Sequence, residues 1–279
     1  MILIDMNQIA VANLMMNLKM NKSKTIDENM VRHMILNSIR MYRKEHYNEY
    51  GEVVLTWDSK HSWRRDYFPE YKASRRKGRE ESDLDWDDIF GTLNKIRNEI
   101  KENFPYKYLY VENCEADDII AVLTKHATED VMIVSGDKDF QQLQKYDYVR
   151  QWSPNLNKEV NCEDADMFLQ EHILKGDKSD GIPNILSNDD CLDLGIRQTP
   201  LRKPVLEKYL RISIENDDKY YRNYLRNQTL IDFEMIPQKI EDAILSEYQD
   251  VEPVKGKVFD YLRHHRLNQL MDSIGDFSL

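Results

Sequence analysis

The sequence has little of what marks a secreted, fibrous or membrane-spanning protein. Only three of its 279 residues are cysteine. Cys114, Cys162 and Cys191 are widely spaced with no CxxC pair, which excludes a disulfide framework and a zinc–thiolate site. The seven histidines lack ligand spacing apart from the adjacent His264 and His265, so a zinc enzyme is not expected. Nine glycines and eight prolines are too few for a long disordered tract. No apolar run approaches the roughly 18 residues needed to cross a bilayer, so no membrane partner is expected. The opening Met1-Ile2-Leu3-Ile4-Asp5 meets a charge at once and has no basic n-region. That pattern speaks against a signal peptide and for a cytoplasmic protein. The chain is expected to open directly on its first strand, so that no N-terminal extension is expected to recruit a partner.

Positive charge is in deficit overall, at a net −11, yet its distribution matters more than the sum. Between Lys60 and Glu80 stand Lys60, Arg64, Arg65, Lys72, Arg75, Arg76, Lys77 and Arg79. Only Asp66, Glu70 and Glu80 oppose them, a local excess of five positive charges. The aromatics Trp63, Tyr67, Phe68 and Tyr71 are interleaved there. A basic, aromatic segment in an acidic chain suits a protein that holds cations with carboxylates and a polyanion with one stretch.

Three short apolar runs end on acid: Ile2–Ile4 before Asp5, Val53–Trp57 before Asp58, and Val131–Val134 before Ser135-Gly136-Asp137-Lys138-Asp139. They read as buried strands, with helical patterns between them over about Glu28–Tyr47, Trp86–Asn103 and Glu115–His126. Strands alternating with helices predict a largely parallel sheet, whose ligand crevice lies beyond the carboxyl ends of the strands. After about residue 160 the strand signal fades. Asp164–Leu174, Val205–Tyr209, Tyr220–Leu230 and Val258–Ser273 read as helices. The expected organisation is an α/β core over residues 1–175, with the basic segment at about 60–85, and a helical region over 176–279.

The candidate metal ligands are Asp5, Asp58, Glu115, Asp117, Asp118, Asp137, Asp139, Asp177 and Asp180. Each has a plain reading: Glu115, Asp117 and Asp118 suit a helix start, and Asp177 and Asp180 suit an Asx turn. Their recurrence at one edge of three strands is what points to chemistry. Hard ions such as Mg²⁺ or Mn²⁺ take oxygen ligands. Two of them roughly 3.5–4 Å apart would clamp the attacking and leaving oxygens of a phosphodiester.

Four segments then resemble one family. They are Ile2-Leu3-Ile4-Asp5, Glu115-Ala116-Asp117-Asp118, Val134-Ser135-Gly136-Asp137-Lys138-Asp139-Phe140, and Ile173-Leu174-Lys175-Gly176-Asp177-Lys178-Ser179-Asp180-Gly181-Ile182-Pro183. Together they resemble the 5′-nuclease superfamily of flap endonucleases and polymerase-associated exonucleases. Phe68-Pro69-Glu70-Tyr71-Lys72-Ala73-Ser74-Arg75 resembles its arch segment. Gln151-Trp152-Ser153-Pro154, Leu230-Ile231-Asp232-Phe233 and Lys255-Gly256-Lys257 resemble its phage ribonuclease H subgroup.

The resemblance implies a mixed, largely parallel central sheet, a helical arch and a helix-turn-helix-like duplex-binding element. It implies a 5′-to-3′ nuclease with flap-endonuclease and RNA-primer-removing activity in phage DNA replication. Two Mg²⁺ ions, replaceable by Mn²⁺, are implied: one among Asp5, Asp58, Glu115, Asp117 and Asp137, the other among Asp139, Asp177 and Asp180, with Asp118 close by. Asp117, Asp137 and Lys72 are the expected catalytic residues, Lys72 reaching the scissile phosphate. Arg64, Arg65, Tyr71, Lys72, Arg75, Arg76, Lys77, Arg79, Arg202 and Lys203 are expected to bind nucleic acid, with Tyr71 stacking on a terminal base. The implied partners of a monomer are DNA and RNA:DNA hybrids with 5′ ends, flaps or forks.

Two departures stand out. After Ile182-Pro183 the family continues with a Gly-rich basic stretch, whereas here Asn184–Asp190 is acidic and lacks glycine. The terminal Asp272–Leu279 reads as a frayed end, with docking to a sliding clamp or single-strand-binding protein as the alternative. A haloacid-dehalogenase-like phosphatase is the rival enzyme, although Asp5 is followed by Met6-Asn7 where that motif needs a second Asp. A nuclease fold retained only to bind branched DNA is the rival of another class.

Overall fold

Alternation in the first strand sets the layering. In β1 (Ile2–Asp5), Ile2 and Ile4 join one buried apolar cluster and Leu3 joins another. Successive side chains of a strand point to opposite faces, so both faces of this sheet are covered. The computed structural model describes residues 1–20, 25–212 and 214–277.

After β1 come α1 (Met6–Met20), α2 (Glu28–Tyr50) and β2 (Val53–Trp57). The basic segment follows as α3 (Trp63–Tyr67) and α4 (Ala73–Glu80). Next are α5 (Trp86–Asn103), β3 (Lys107–Tyr110), α6 (Ala116–Lys125) and β4 (Val131–Val134). A 3₁₀ helix over Lys138–Lys145 leads to β5 (Val149–Ser153) and β6 (Lys158–Val160). The rest is helical: α7 (Ala165–Lys175), α8 (Lys203–Arg211), α9 (Asp218–Ile231), α10 (Gln238–Asp250), α11 (Val258–His264) and α12 (Asn268–Met271).

Six strands form one sheet in the order β3-β2-β1-β4-β5-β6, parallel except for the antiparallel β6 edge. The mixed, largely parallel sheet expected from the sequence is present. Its order runs one way from β1 to β2 and the other way to β4, so β1 and β4 flank the topological switch point where ligand crevices form. Asp5 ends β1, Asp58 follows β2, and Asp137 follows β4.

The helices form for local reasons. Helix α5 starts where Asp85 accepts the Asp88 N–H at 3.0 Å, and it buries Ile89, Leu93, Ile96 and Ile100 at helical spacing. Asp27 caps α2 in the same way. Helix α4 differs, since none of its residues is buried.

Two expectations need correction. Val258–Ser273 is two helices, because Arg266 adopts a left-handed φ of 54° between them. Helices of the region over 176–279 pack against both faces of the sheet. Phe233, Ile236, Ile240 and Ile244 pack in the cluster of Leu3, and Val258, Tyr261, Leu262, Leu267, Leu270 and Phe277 pack in that of Ile2 and Ile4. Among the described residues, the stretch from α7 to α9 also builds a small core of its own, around Leu174, Ile185 and Ile214. The terminal segment is not frayed over 272–277. Phe277 is fully buried, its carbonyl accepts the Tyr106 hydroxyl at 3.1 Å, and Asp276 pairs with Arg40 at 2.5 Å. Ser278 and Leu279 lie outside the described residues. Among the described residues no helix is long and apolar enough to cross a membrane.

Candidate active site

The acids that the sequence distributes over 176 positions meet through the topology. Asp5 is buried at the end of β1, where its carboxylate accepts the Gln8 N–H at 3.1 Å and the Ser135 hydroxyl at 3.0 Å. Asp58 accepts the Ala116 N–H at 2.8 Å, which fastens the end of β2 to the first turn of α6. Asp137 caps the 3₁₀ helix by accepting the Asp139 N–H at 3.0 Å. Asp117 projects from the first turn of α6.

Crowding of acids contributes to the proton affinities of Asp5, Asp58 and Asp117. Burial, reinforced by the charges of Asp58 and Asp137, pushes the Asp5 carboxyl up to about 7. Burial and the charges of Asp137 and Asp5 hold Asp117 well above the usual carboxylate range. Burial and Asp137 push Asp139 up to about 7, and burial and Glu115 raise Asp58. Asp137 acts on Asp5, Asp117 and Asp139 alike, so it links the two groups of acids.

The second group is Asp139 and Asp177 with His172, each bringing one ligand atom to within 4.8 Å of the others. The turn that presents Asp177 is tight. A Cβ on Gly176, at φ 65°, would collide with the carbonyls of Ile182 and Pro183. Asp177 accepts the N–H and hydroxyl of Ser179 through one oxygen, while His172 and Lys138 face the other. Burial opposes ionisation there, but these contacts outweigh it and hold the Asp177 carboxyl far below its usual range.

The remaining candidates are engaged by cations of the basic segment. Burial acts against the Glu115 charge, but Lys72 and Arg64 overcome it and bring the carboxyl down to about 2. Lys72 Nζ lies 2.6 Å from Glu115 and 3.5 Å from Asp180, and Arg75 lies 2.5 Å from Asp180. Lys72 itself holds a left-handed backbone, φ 56° and ψ 18°, a strained conformation of the kind that clusters at functional sites. Its N–H donates to the Asp180 carbonyl at 2.8 Å. A Cβ on Gly181 would come 2.8 Å from the Glu70 carbonyl, so the base of the basic segment sits directly on the Asp177–Ile182 turn.

Three sequence expectations change here. Asp118 closes a capping box on the Glu115 N–H and takes Arg64 at 2.7 Å and Trp63 Nε1 at 3.3 Å, so both of its oxygens are occupied by protein. Arg64 is buried and also donates to the Leu230 carbonyl at 2.9 Å, which removes it from the nucleic-acid face. Tyr71 is buried with its hydroxyl donating to Glu115 at 2.9 Å, so its ring is not free to stack on a base. Arg65, Arg75, Arg76, Lys77, Arg202 and Lys203 are exposed, and Arg79 is partly so, over the ring of Phe90. The acidic turn at Asn184–Asp190 is neutralised in part by Arg222 and Arg226, which both pair with Asp189. His172 was not found from the sequence. No spacing rule could find it, because its neighbour Asp139 is remote along the chain.

A pH prediction follows from these shifts. With pKa near 7 against an ordinary 3.8, folded Asp5 and Asp139 bind more protons than the unfolded chain between those values. Their contribution to stability therefore falls as pH rises through that window. A bound divalent cation cancels it. The rise in Tm caused by 5 mM Mg²⁺, measured against EDTA, should accordingly be smallest near pH 5 and largest near pH 8, on the order of RT ln(1 + [L]/Kd). A metal-induced rise independent of pH would contradict this electrostatic picture.

Comparison with known proteins agrees with the geometry. Residues 1–172 match the family described as 5′-3′ exonuclease, N-terminal resolvase-like domain, and residues 163–277 match that described as T4 RNase H, C terminal. The chain is 36% identical to ribonuclease H of Enterobacteria phage T4 over 99% of its own length and 95% of that protein. It is 30% identical to a flap endonuclease of Shewanella sp. strain MR-4, over 48% of its length and about half (52%) of that protein. Among solved structures, a bacteriophage T5 protein co-crystallised with metal ions matches with a TM-score of 0.63 at 16% identity. That match covers 89% of this chain and 97% of the T5 chain. The T5 flap endonuclease in a pseudo-enzyme-product complex with DNA and metal ions gives 0.61 at 17% identity, over 95% and 98%. The T5 likenesses establish the fold. The sequence matches, which span the whole chain, establish that it belongs to the 5′-3′ exonuclease family together with the phage ribonucleases H, and that it is a nuclease of the hydrolase class.

Proposed function

We propose that this nuclease removes RNA primers and 5′ flaps during phage DNA replication, using two Mg²⁺ ions for which Mn²⁺ can substitute. The observation that carries this reading is the meeting of Asp5, Asp58, Asp117 and Asp137 at the carboxyl edge of three strands, where burial and neighbouring acids raise the proton affinities of Asp5, Asp58 and Asp117. Hard cations suit such a set, since all its donors are oxygens and their repulsion needs neutralising. Asp5, Asp58, Glu115, Asp117 and Asp137 would hold one ion; Asp139, Asp177 and Asp180 would hold the other. When bound, the ions supply a nucleophile at neutral pH and stabilise charge on the attacking and leaving oxygens.

The chain's own residues orient the strand. Lys72, buried among the acids with Nζ 2.6 Å from Glu115, would be the cation that meets the scissile phosphate once an ion takes its place on that carboxylate. Arg75 lies beside it, and the exposed Arg65, Arg76, Lys77 and Arg79 follow the backbone beyond, making binding fall with salt. Arg202 and Lys203, exposed at the start of α8, offer a second phosphate contact on the helical region. DNA and RNA:DNA hybrids with 5′ ends, met by a monomer, are the partners this implies. The names of its relatives, ribonuclease H and flap endonuclease, support both activities.

The test is cleavage of a 5′-labelled flap and of an RNA-primed duplex, in Mg²⁺ and then in EDTA. Short labelled products that vanish with EDTA are expected from both substrates. Phosphomonoester turnover without DNA cutting would favour the phosphatase, and tight binding without cutting would favour a non-catalytic scaffold.

A further inference from the structure

One buried contact in the acid cluster is left without a hydrogen bond. His172, only 6% exposed on the last turn of α7, faces Asp177 with Nε2 at 3.2 Å and Asp139 with Nδ1 at 3.4 Å. Asp177 Oδ2, which also faces Lys138 at 2.7 Å, takes up Nε2 and leaves Nδ1 directed at Asp139 Oδ1. Both of those atoms are buried and neither has a hydrogen-bond partner. Buried polar atoms call for a partner, and Asp139, His172 and Asp177 each bring one ligand atom to within 4.8 Å of the others, close enough to share an ion.

We propose that His172 Nδ1 is a nitrogen ligand to the second metal ion beside Asp139, giving that position a preference for Mn²⁺, Co²⁺ or Zn²⁺ over Mg²⁺. Two ligand atoms about 2.0–2.1 Å from one ion at a tetrahedral angle lie about 3.3–3.4 Å apart. The observed 3.4 Å separation matches that bite. Asp177 then acts through His172 in a carboxylate–histidine–metal arrangement, fixing the ring and raising its basicity, in place of the direct ligation that the two-ion reading gives it. Imidazole suits borderline transition ions, whereas Mg²⁺ favours carboxylate and water. The sequence reading, which saw oxygen donors alone, placed no nitrogen at this site.

The inference rests on the metal-nuclease reading, and its test separates the two. The full chain loaded with two equivalents of Mn²⁺ is examined by electron spin-echo envelope modulation. A nitrogen coupling is expected in the wild type and in His126→Gln, whose ring lies instead against Glu241, and is expected to vanish in His172→Gln. Calorimetric titration should show one of two Mn²⁺ sites weakened about tenfold or more in that variant, with Mg²⁺ affinity changed less than threefold. Absence of nitrogen coupling in the doubly loaded wild type would overturn the proposal, and needs no variant to fold. So would its persistence in His172→Gln, or equal loss for both ions. Flap cleavage without nitrogen coupling removes His172 as a ligand and leaves the nuclease reading intact. Nitrogen coupling without cleavage does the reverse.

Discussion

Asp117→Asn is expected to lower flap cutting by on the order of 10³-fold, the several kcal/mol that a metal position contributes to phosphodiester hydrolysis. Asp117 lies where the fields of Asp137 and Asp5 overlap, and the amide keeps its shape while removing the charge that would hold a cation. The same change should make the metal-free protein more stable. In EDTA the wild type keeps these acids together against their repulsion, and Asn relieves part of it. Each kcal/mol relieved raises Tm by roughly 2–4 °C in a chain approaching this size. Cutting measured on a labelled flap, melting measured in EDTA and binding measured by anisotropy should thus move in three ways: strongly down, up, and within a few-fold of wild type. Wild-type turnover would remove Asp117 from the site, and a fall in EDTA stability would show that it is a structural acid.

Arg64→Ala is expected to cost about 3–5 kcal/mol of folding free energy, the penalty for leaving buried partner charges uncompensated. Arg64 is 3% exposed, pairs with Asp118 at 2.7 Å and donates to the Leu230 carbonyl at 2.9 Å. It thereby joins α3, α6 and the end of α9 in one contact. Lysine should not rescue it, since one ammonium cannot reproduce the guanidinium fork. Arg65→Ala, the exposed neighbour, is expected to stay within about 0.5 kcal/mol of wild type and to reduce the salt slope of DNA binding by about one. Urea unfolding and salt-dependent binding of the two variants separate the roles. An Arg64→Ala protein of wild-type stability that binds DNA poorly would return Arg64 to the nucleic-acid face.

That pair of arginines shows where reading the chain succeeds and where it stops. The basic excess between Lys60 and Glu80 is plain in the sequence, but its sign pattern carries no information on which cations turn inward. Arg64, Tyr71 and Lys72 turn inward because Glu115 and Asp118 wait behind them. Strands β1, β2 and β4 are legible as runs buried on both faces, unbroken but for Thr56. Strand β3, Lys107–Tyr110, is as long as β1 and β4 but opens on a lysine and is only half enclosed, and β5 carries an exposed Arg150 among buried residues, so neither forms such a run. Helix α1 was missed because Met6–Met20 mixes Met, Asn and Leu with little polar contrast between its faces. The acids at the strand ends are legible because each ends its strand or follows within three positions. His172 is not, since its meaning lies in a neighbour supplied by the fold.

The cations seated among the carboxylates have a thermodynamic consequence. Lys72 and Arg75 on Glu115 and Asp180, and Lys138 on Asp177, mean that metal uptake in the two-ion reading is an exchange and not a simple addition. In that reading each incoming divalent ion would displace ammonium or guanidinium groups, which would then be free to turn toward the polyanion. Reciprocity requires that whatever factor the metals add to nucleic-acid affinity, the nucleic acid returns to metal affinity. The chain's own cations would thus compete with both, and substrate and ions would be drawn in together.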